Sequence, residues 1–333
     1  MEKVKIAVIG FGHDHAVFIL NSLRKQNSIF DVAGIYLPEE EERRFAHKLE
    51  SVAEVPRLSL EQILNDPSIR AVAVESEEKR LTAFALAAAA HGKHIHLDKP
   101  GGPKPEEFEE LVAACRAKHL ILHMGYMYRY NPQIQKLVRD VKEGELGTVI
   151  SVEAQMNCLH TPQKRQWLGG YPGGMMYFLG CHLVDLVLQL QGEPIQIFPF
   201  NRCTGTDQVT AADYAMAVFD YPRGISFVKS CANEIGGFAR RQLVVTGTKK
   251  TVELKPLEMY EVLPEHYTQV TEYTRKAWND SGRCFRSRQF DQYDAMLASF
   301  AEMVRGEREN PWNYDYELLV YHTLMKCCGR DSM

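Results

Sequence analysis

A short apolar run, Lys5 to Ile9, ends in Gly10-Phe11-Gly12, after which Ala16, Ile19, Leu20 and Leu23 recur at helical spacing. Strand, glycine turn and helix in that order constrain the chain more than any other feature. Gly10 permits a tight turn, and Gly12 lets the backbone come close to an anion held by the amides that open the helix. The alternation continues with a strand over Asp31 to Leu37 and a helix that opens on Glu39 to Arg44 and ends near Glu50. Ser59 and Gln62 suit a capping box for a short helix through Leu64. Ala71 to Val74 then reads as strand, Leu81 to Ala90 as a helix closed by Gly92, His94 to Leu97 as strand, and Glu106 to Lys118 as a helix introduced by Pro103 and Pro105. Strands and helices in such alternation predict βαβ units, and so a doubly wound parallel sheet over residues 1–122.

Beyond Pro132 the texture changes. A helix over Gln133 to Val141 and a Gly144/Gly147 turn lead into long segments of period two: Val149 to Gln155, Ile195 to Asn201, Tyr214 to Tyr221, Ile225 to Cys231 and Gln242 to Leu254. Few helices separate them, which predicts a large open, mostly antiparallel sheet in a second α/β domain over 123–333. Lys164 to Leu190 interrupts the run with a glycine-rich loop and a helix beginning close to Tyr177. Two late helices, within residues 287–329, are free to pack back towards the first domain.

Composition narrows the function classes. The chain has 333 residues and a formal net charge of −4, with 45% hydrophobic and 25% charged residues. Nothing there offers the clustered basic surface that nucleic acid or an anionic membrane needs, so neither is an expected partner. No apolar stretch approaches the roughly 20 residues that span a bilayer, and no secretory leader pattern is visible. The eight cysteines form no CxxC pair, and the adjacent Cys327 and Cys328 read as thiols on a helix, so a soluble, cytoplasmic, reduced protein is expected.

Several residues have the makings of chemistry. In Gly10-Phe11-Gly12-His13-Asp14-His15 the amides offer an anion cradle, but His15 stands where a third small residue usually sits. The acid that ends the second strand in NAD sites is replaced by Tyr36-Leu37-Pro38, with Glu39 and Glu40 nearest, and Arg43 and Arg44 lie further into the next helix, so NAD and NADP stay equally open. His94 to Gly102 leaves the edge of the sheet where ligands bind, and Lys99 there can donate to a substrate oxygen. His94 and His96 alternate like a metal pair but lack a nearby third ligand in the sequence; they read as buried, hydrogen-bonded histidines, and no metal is expected. In Gly173 to Asp185, His182 and Asp185 share a helical face, where the acid can orient the imidazole as a proton acceptor.

Together these motifs resemble the Gfo/Idh/MocA family, the glucose–fructose oxidoreductase and inositol dehydrogenase group. The residues responsible are Gly10-Phe11-Gly12, Ala89 to Pro100 with Asp98 in place of the family's glutamate, Tyr128-Arg129-Tyr130-Asn131-Pro132, Gly144-Glu145-Leu146-Gly147, Gly180 to Asp185, and Val244 to Lys249. The resemblance implies an N-terminal NAD(P)-binding Rossmann domain and a C-terminal substrate and oligomerisation domain. It also implies hydride exchange with a hydroxyl or ketone of a sugar, cyclitol or related polyol, in a homodimer or homotetramer. Carried over, Lys99 bonds the reacting oxygen and His182 takes the hydroxyl proton. The cofactor would draw on residues 10–15, Glu75, Ser76, Asp98 and Lys99. The substrate would draw on Tyr126, Tyr128, Arg129, Trp167, Tyr171, Tyr177 and Asp185.

The chain departs from the family in three places. Phe178 stands four residues before His182 where many members have aspartate, Glu75-Ser76 replaces a Thr-Pro pair, and Arg80 replaces a histidine. Glu75 is an odd neighbour for a nicotinamide diphosphate unless it addresses a ribose or pairs with Arg80. Two other readings follow from these changes. One is redox-neutral cleavage of a glycoside through a keto-sugar, with Tyr177, His160 or Tyr128 as the extra acid or base. The other is a non-catalytic sugar-binding or regulatory protein.

Overall fold

A computed structural model of the chain describes residues 2–262 and 265–330, and of residues 47–49 the backbone alone. It divides into two units: residues 1–127 with 293–321, and residues 128–292 with 322–333.

The first unit is built on five parallel strands: β1 (Val4–Ile9), β2 (Phe30–Tyr36), β3 (Ala71–Val74), β4 (His94–Leu97) and β5 (Leu122–Met124), in spatial order β2-β1-β3-β4-β5. Helices α1 (Ala16–Lys25), α2 (Glu39–Arg44), α3 (Leu60–Asn65), α4 (Leu81–Ala90) and α5 (Pro105–Ala117) connect them. Val4, Ile6, Ala7, Val8 and Ile9 of β1 are all fully buried, as a central strand covered on both faces must be. Ser59 and Gln62 form the expected capping box at the start of α3. The boundaries read from sequence agree within a residue or two, with one instructive case at the second helix. There α2 ends at Arg44 and a 3-10 segment, Ala46–Val52, follows instead of a continuous helix.

The second unit holds α6 (Pro132–Lys142), β6 (Val149–Gln155), α7 (Pro162–Trp167), α8 (Cys181–Gln191), β7 (Gln196–Arg202), β8 (Tyr214–Tyr221), β9 (Gly224–Cys231), β10 (Gln242–Gly247), β11 (Thr251–Leu254), β12 (Met259–Tyr260), β13 (His266–Tyr267), β14 (Gln269–Tyr273) and β15 (Arg283–Arg286). Eight of these strands form one sheet, β15-β14-β11-β10-β6-β9-β8-β7, in which β6 and β9 alone run parallel. Alternation along β8 buries Ala215, Ala217 and Phe219, as expected of a sheet with one covered face. Gln242 to Leu254, read as one strand, is a hairpin turned at Thr248 to Lys250. The helix expected near Tyr177 starts as a π-helical turn, Met176–Gly180, before α8 proper.

The late helices are α9 (Gln292–Val304) and α10 (Tyr314–Cys327). Residues 293–321 belong to the first unit. There Ser22 donates to Asp294 at 2.6 Å, Arg70 to the Val304 carbonyl at 2.8 Å, and the Tyr321 hydroxyl to the Gly102 carbonyl at 2.7 Å. Among the described residues no helix is long and apolar enough to cross a membrane, and all eight cysteines are free thiols.

Candidate functional site

In the first unit the chemistry-bearing residues gather at the carboxyl edge of the parallel sheet, where open α/β sheets bind ligands. Gly10 adopts φ +80°, and a Cβ there would lie 2.3 Å from Cβ of Ser76, so glycine is required by the close approach of the loop after β3. The amides of Phe11, Gly12 and Glu77 all donate to one carboxylate, that of Glu41 on α2, with Phe11 at 2.7 Å and Glu77 at 2.9 Å. The anion these amides meet in the structure belongs to the chain itself. Burial raises the Glu41 pKa, partly offset by these amides and by the charge of Arg80. Nothing in the sequence pattern pointed to Glu41, because α2 reads as a solvated, charged helix.

Helix α1 begins at Ala16, so His13, Asp14 and His15 form a turn instead of a first helical turn. The His13 amide donates to the Glu75 carbonyl at 2.9 Å, and the His15 amide approaches His13 Nδ1 at 3.2 Å. Asp98, at the end of β4, is fully buried between the two imidazoles: His13 Nδ1 lies 2.8 Å from Oδ2 and His15 Nδ1 3.1 Å from Oδ1. Oδ1 also accepts the Lys99 amide at 2.7 Å, which fixes the rotamer of the acid. Burial pushes the His13 pKa down to about 4 despite the charge of Asp98, so the ring is neutral near pH 7.

A second layer continues behind this cluster. His96 Nδ1 meets His123 Nδ1 at 2.8 Å, and its Nε2 lies 3.8 Å from Oε1 of Glu75, itself fully buried. Burial, the largest influence, brings the His96 pKa down to about 4. His94 is separate: its Nδ1 accepts the Ile121 amide at 3.0 Å. Arg80 lies over the Phe84 ring at 4.9 Å, while Arg44 pairs with Glu77 at 2.8 Å. Lys99 is 1% exposed, Tyr126 is buried, Asp14 is exposed and the Ser76 hydroxyl donates to the Glu77 carbonyl.

The second unit presents a different surface. His182, in the first turn of α8, is buried, with the ring of Tyr128 edge-on at 5.3 Å. Shortly before it in the chain aromatic residues cluster with one another: Tyr171 stacks on Tyr177 at 5.5 Å, and Trp167 lies 4.6 Å from Tyr171 and 5.5 Å from Phe178. Lys164 sits 3.8 Å from the Trp167 ring centre and 4.6 Å from that of Phe178, so the position four residues before His182 is here apolar with a cation over it.

Arg129 and Asp185, both expected among the substrate ligands, pair with each other. Arg129 Nη2 lies 2.8 Å from Asp185 Oδ1, both side chains are 1% exposed, and Gln189 donates to Oδ2 at 2.8 Å. A guanidinium taken out of water demands a carboxylate, and one turn beyond His182 the chain supplies it. The Tyr128 hydroxyl likewise donates to Glu258, which also accepts from Arg241 and, at 3.2 Å, from Gln292.

Comparison with known proteins fits this division. Residues 4–126 match the family model described as an oxidoreductase family with an NAD-binding Rossmann fold, and 134–253 match the GFO/IDH/MocA C-terminal domain. The chain is 26% identical over 227 residues to scyllo-inositol 2-dehydrogenase (NADP(+)) IolW of Bacillus subtilis, a match covering 66% of this chain and 61% of that one. It is 25% identical over 260 residues to trans-1,2-dihydrobenzene-1,2-diol dehydrogenase of Macaca fascicularis, covering 75% and 73%. Against several curated relatives the match spans little more than half of their length, as with 54% of an uncharacterized Escherichia coli oxidoreductase. Among solved structures, an aldose-aldose oxidoreductase from Caulobacter crescentus superposes with TM-score 0.78 at 20% identity, covering 99% of each chain. An oxidoreductase from Desulfitobacterium hafniense gives 0.80 at 16% identity over 99% and 95%. With both domain models matched in order, the chain belongs to the Gfo/Idh/MocA oxidoreductase family, whose N-terminal domain is an NAD-binding Rossmann fold.

Proposed function

We propose that the chain is an NAD(P)-dependent oxidoreductase acting on a hydroxyl or ketone of a sugar, cyclitol or related polyol. The observation that carries this reading is Lys99, buried at the ligand edge of the NAD-binding sheet and anchored through its amide by Asp98. The amides of Phe11, Gly12 and Glu77 suit a phosphate oxygen once Glu41 withdraws, since they already solvate a carboxylate. A bound nicotinamide supplies the hydride acceptor or donor.

The chain's own residues supply the proton chemistry. The Lys99 ammonium donates to the reacting oxygen and stabilises its alkoxide character, and His182 accepts the hydroxyl proton. Trp167 and Tyr171 offer flat faces to the CH groups of a polyol ring. Relatives named for inositol and dihydrodiol oxidation support the cyclic polyol class. The outward face of the large sheet, with exposed Phe198, Phe200 and Ile225, is the surface through which copies of the chain would pair; light scattering at micromolar concentration is then expected to give a dimer or tetramer, and a monomer counts against it.

Assay of a sugar and cyclitol panel with both NAD and NADP tests the activity. Lys99→Met and His182→Asn are each expected to lower kcat by about 10²–10⁴-fold, with dinucleotide affinity, read by NAD(P)H fluorescence, retained in His182→Asn. Dinucleotide binding without turnover of any polyol, or turnover that survives both substitutions, overturns the reading.

A further inference from the structure

We propose that His13, His15 and Asp98 form a binding site for a divalent first-row transition-metal ion such as Zn²⁺. This goes beyond the oxidoreductase reading and does not rest on it.

One ligand atom from each of the three residues lies within 4.8 Å of the other two. Two imidazoles and a carboxylate are the donor set of open, three-ligand sites for zinc and ferrous iron. Bonds of about 2.0–2.2 Å in tetrahedral array place such donors about 3.3 Å apart; the two nitrogen–oxygen separations here are 2.8 and 3.1 Å. These two contacts reach different oxygens of Asp98, and the widest donor separation, within 4.8 Å, has to close by up to about 1.5 Å for the three residues to share one ion.

The surroundings favour a cation. Asp98, Glu75 and Glu78 are all buried at this edge, and Lys99 is the one buried lysine or arginine there among the described residues. Buried carboxylates favour positive charge brought close to them. Glu78 Oε1 lies 3.7 Å from Nε2 of His13, on the side of the ring away from Asp98. At that distance, beyond hydrogen-bond reach, the Glu78 charge favours a cation at the ring without fixing its tautomer. The Lys99 amide orients Asp98. His13-Asp14-His15 lies in a turn and not in a helix, which is what lets imidazoles two residues apart face one carboxylate. Three protein ligands leave a coordination position for water or a substrate or phosphate oxygen.

The test uses the full chain stripped with EDTA, without dinucleotide or substrate, titrated with Zn²⁺ and Co²⁺ by calorimetry and followed by elemental analysis after dialysis. One ion per chain is expected. Bound Co²⁺ is expected to show visible absorption of a nitrogen/oxygen site without a thiolate charge-transfer band, which separates it from capture by the exposed Cys203 and Cys284. His15→Gln, whose side chain is 12% exposed and so tolerant of replacement, is expected to weaken binding at least tenfold with an unchanged circular dichroism spectrum, and Asp98→Asn to do the same. His91→Gln, on the exposed end of α4, is expected to leave it unchanged. Absence of saturable binding, a thiolate band, or full affinity in folded His15→Gln overturns the proposal and shows instead an imidazole–carboxylate hydrogen-bond cluster.

Discussion

Glu41 in the first unit and Glu258 in the second are both buried carboxylates, yet they are held in opposite ways. Glu41 is solvated by backbone amides, and burial raises its pKa above the usual value. Glu258 is buried too, but Arg241 and the hydroxyl of Tyr128 outweigh that burial and bring its pKa down. The difference is between a carboxylate met by backbone amides and one met by a fixed cation. Amides that solvate a side chain can also solvate a phosphate; Arg241 donates to the Asn157 carbonyl at 3.3 Å as well, but Glu258 is its carboxylate.

Removing the charge at each position separates the two. Glu258→Gln strands Arg241 and is expected to cost about 3–5 kcal/mol in urea unfolding; a loss below about 1 kcal/mol would equate it with Glu41. Glu41→Gln, which sets an NH2 group against one of the backbone donors, is expected to cost about 1 kcal/mol and to tighten NAD(P)H binding about tenfold, worth 1.4 kcal/mol, because a neutral amide competes less well than a carboxylate for the three donors. Unchanged dinucleotide affinity would mean that phosphate does not use these amides.

The smallest effect is in the pH dependence, where the two acids have opposite signs. Glu258, with its folded pKa below 4.5, contributes stability that is present above that pH and lost on acidification through the folded value. Glu41, with its folded pKa above 4.5, contributes stability present below that pH and lost as pH rises through the raised value. Comparing unfolding of the parent chain with Glu258→Gln below about pH 4.5, and with Glu41→Gln above it, isolates each limb; slopes of the same sign would break the contrast.

Much of the parallel sheet was legible because its signals are local. The apolar run before Gly10, the capping box at Ser59 and the alternation of strand and helix each depend on neighbours a few residues apart. The second unit was less so. Residues 255–286 carry four short strands with weak period-two patterning, and the hairpin at Thr248 to Lys250 interrupts what looks like one continuous strand. In the candidate site the same limit applies. Lys99 and His182 stand in motifs, but the partner of Arg129 lies 56 positions away and that of Tyr128 lies 130 away, distances at which no spacing rule operates.

The sequence by itself determined a glycine turn able to hold an anion, a lysine at a strand end, and a histidine at a helix start, because each rests on backbone conformation or on adjacent residues. Only the tertiary structure decided which anion the turn holds and what surrounds Asp98. Those outcomes depend on α2, β3 and β4 being brought to one edge and dried there, and burial is what converts ordinary surface residue types into an internal anion, a paired guanidinium or a convergent set of metal donors.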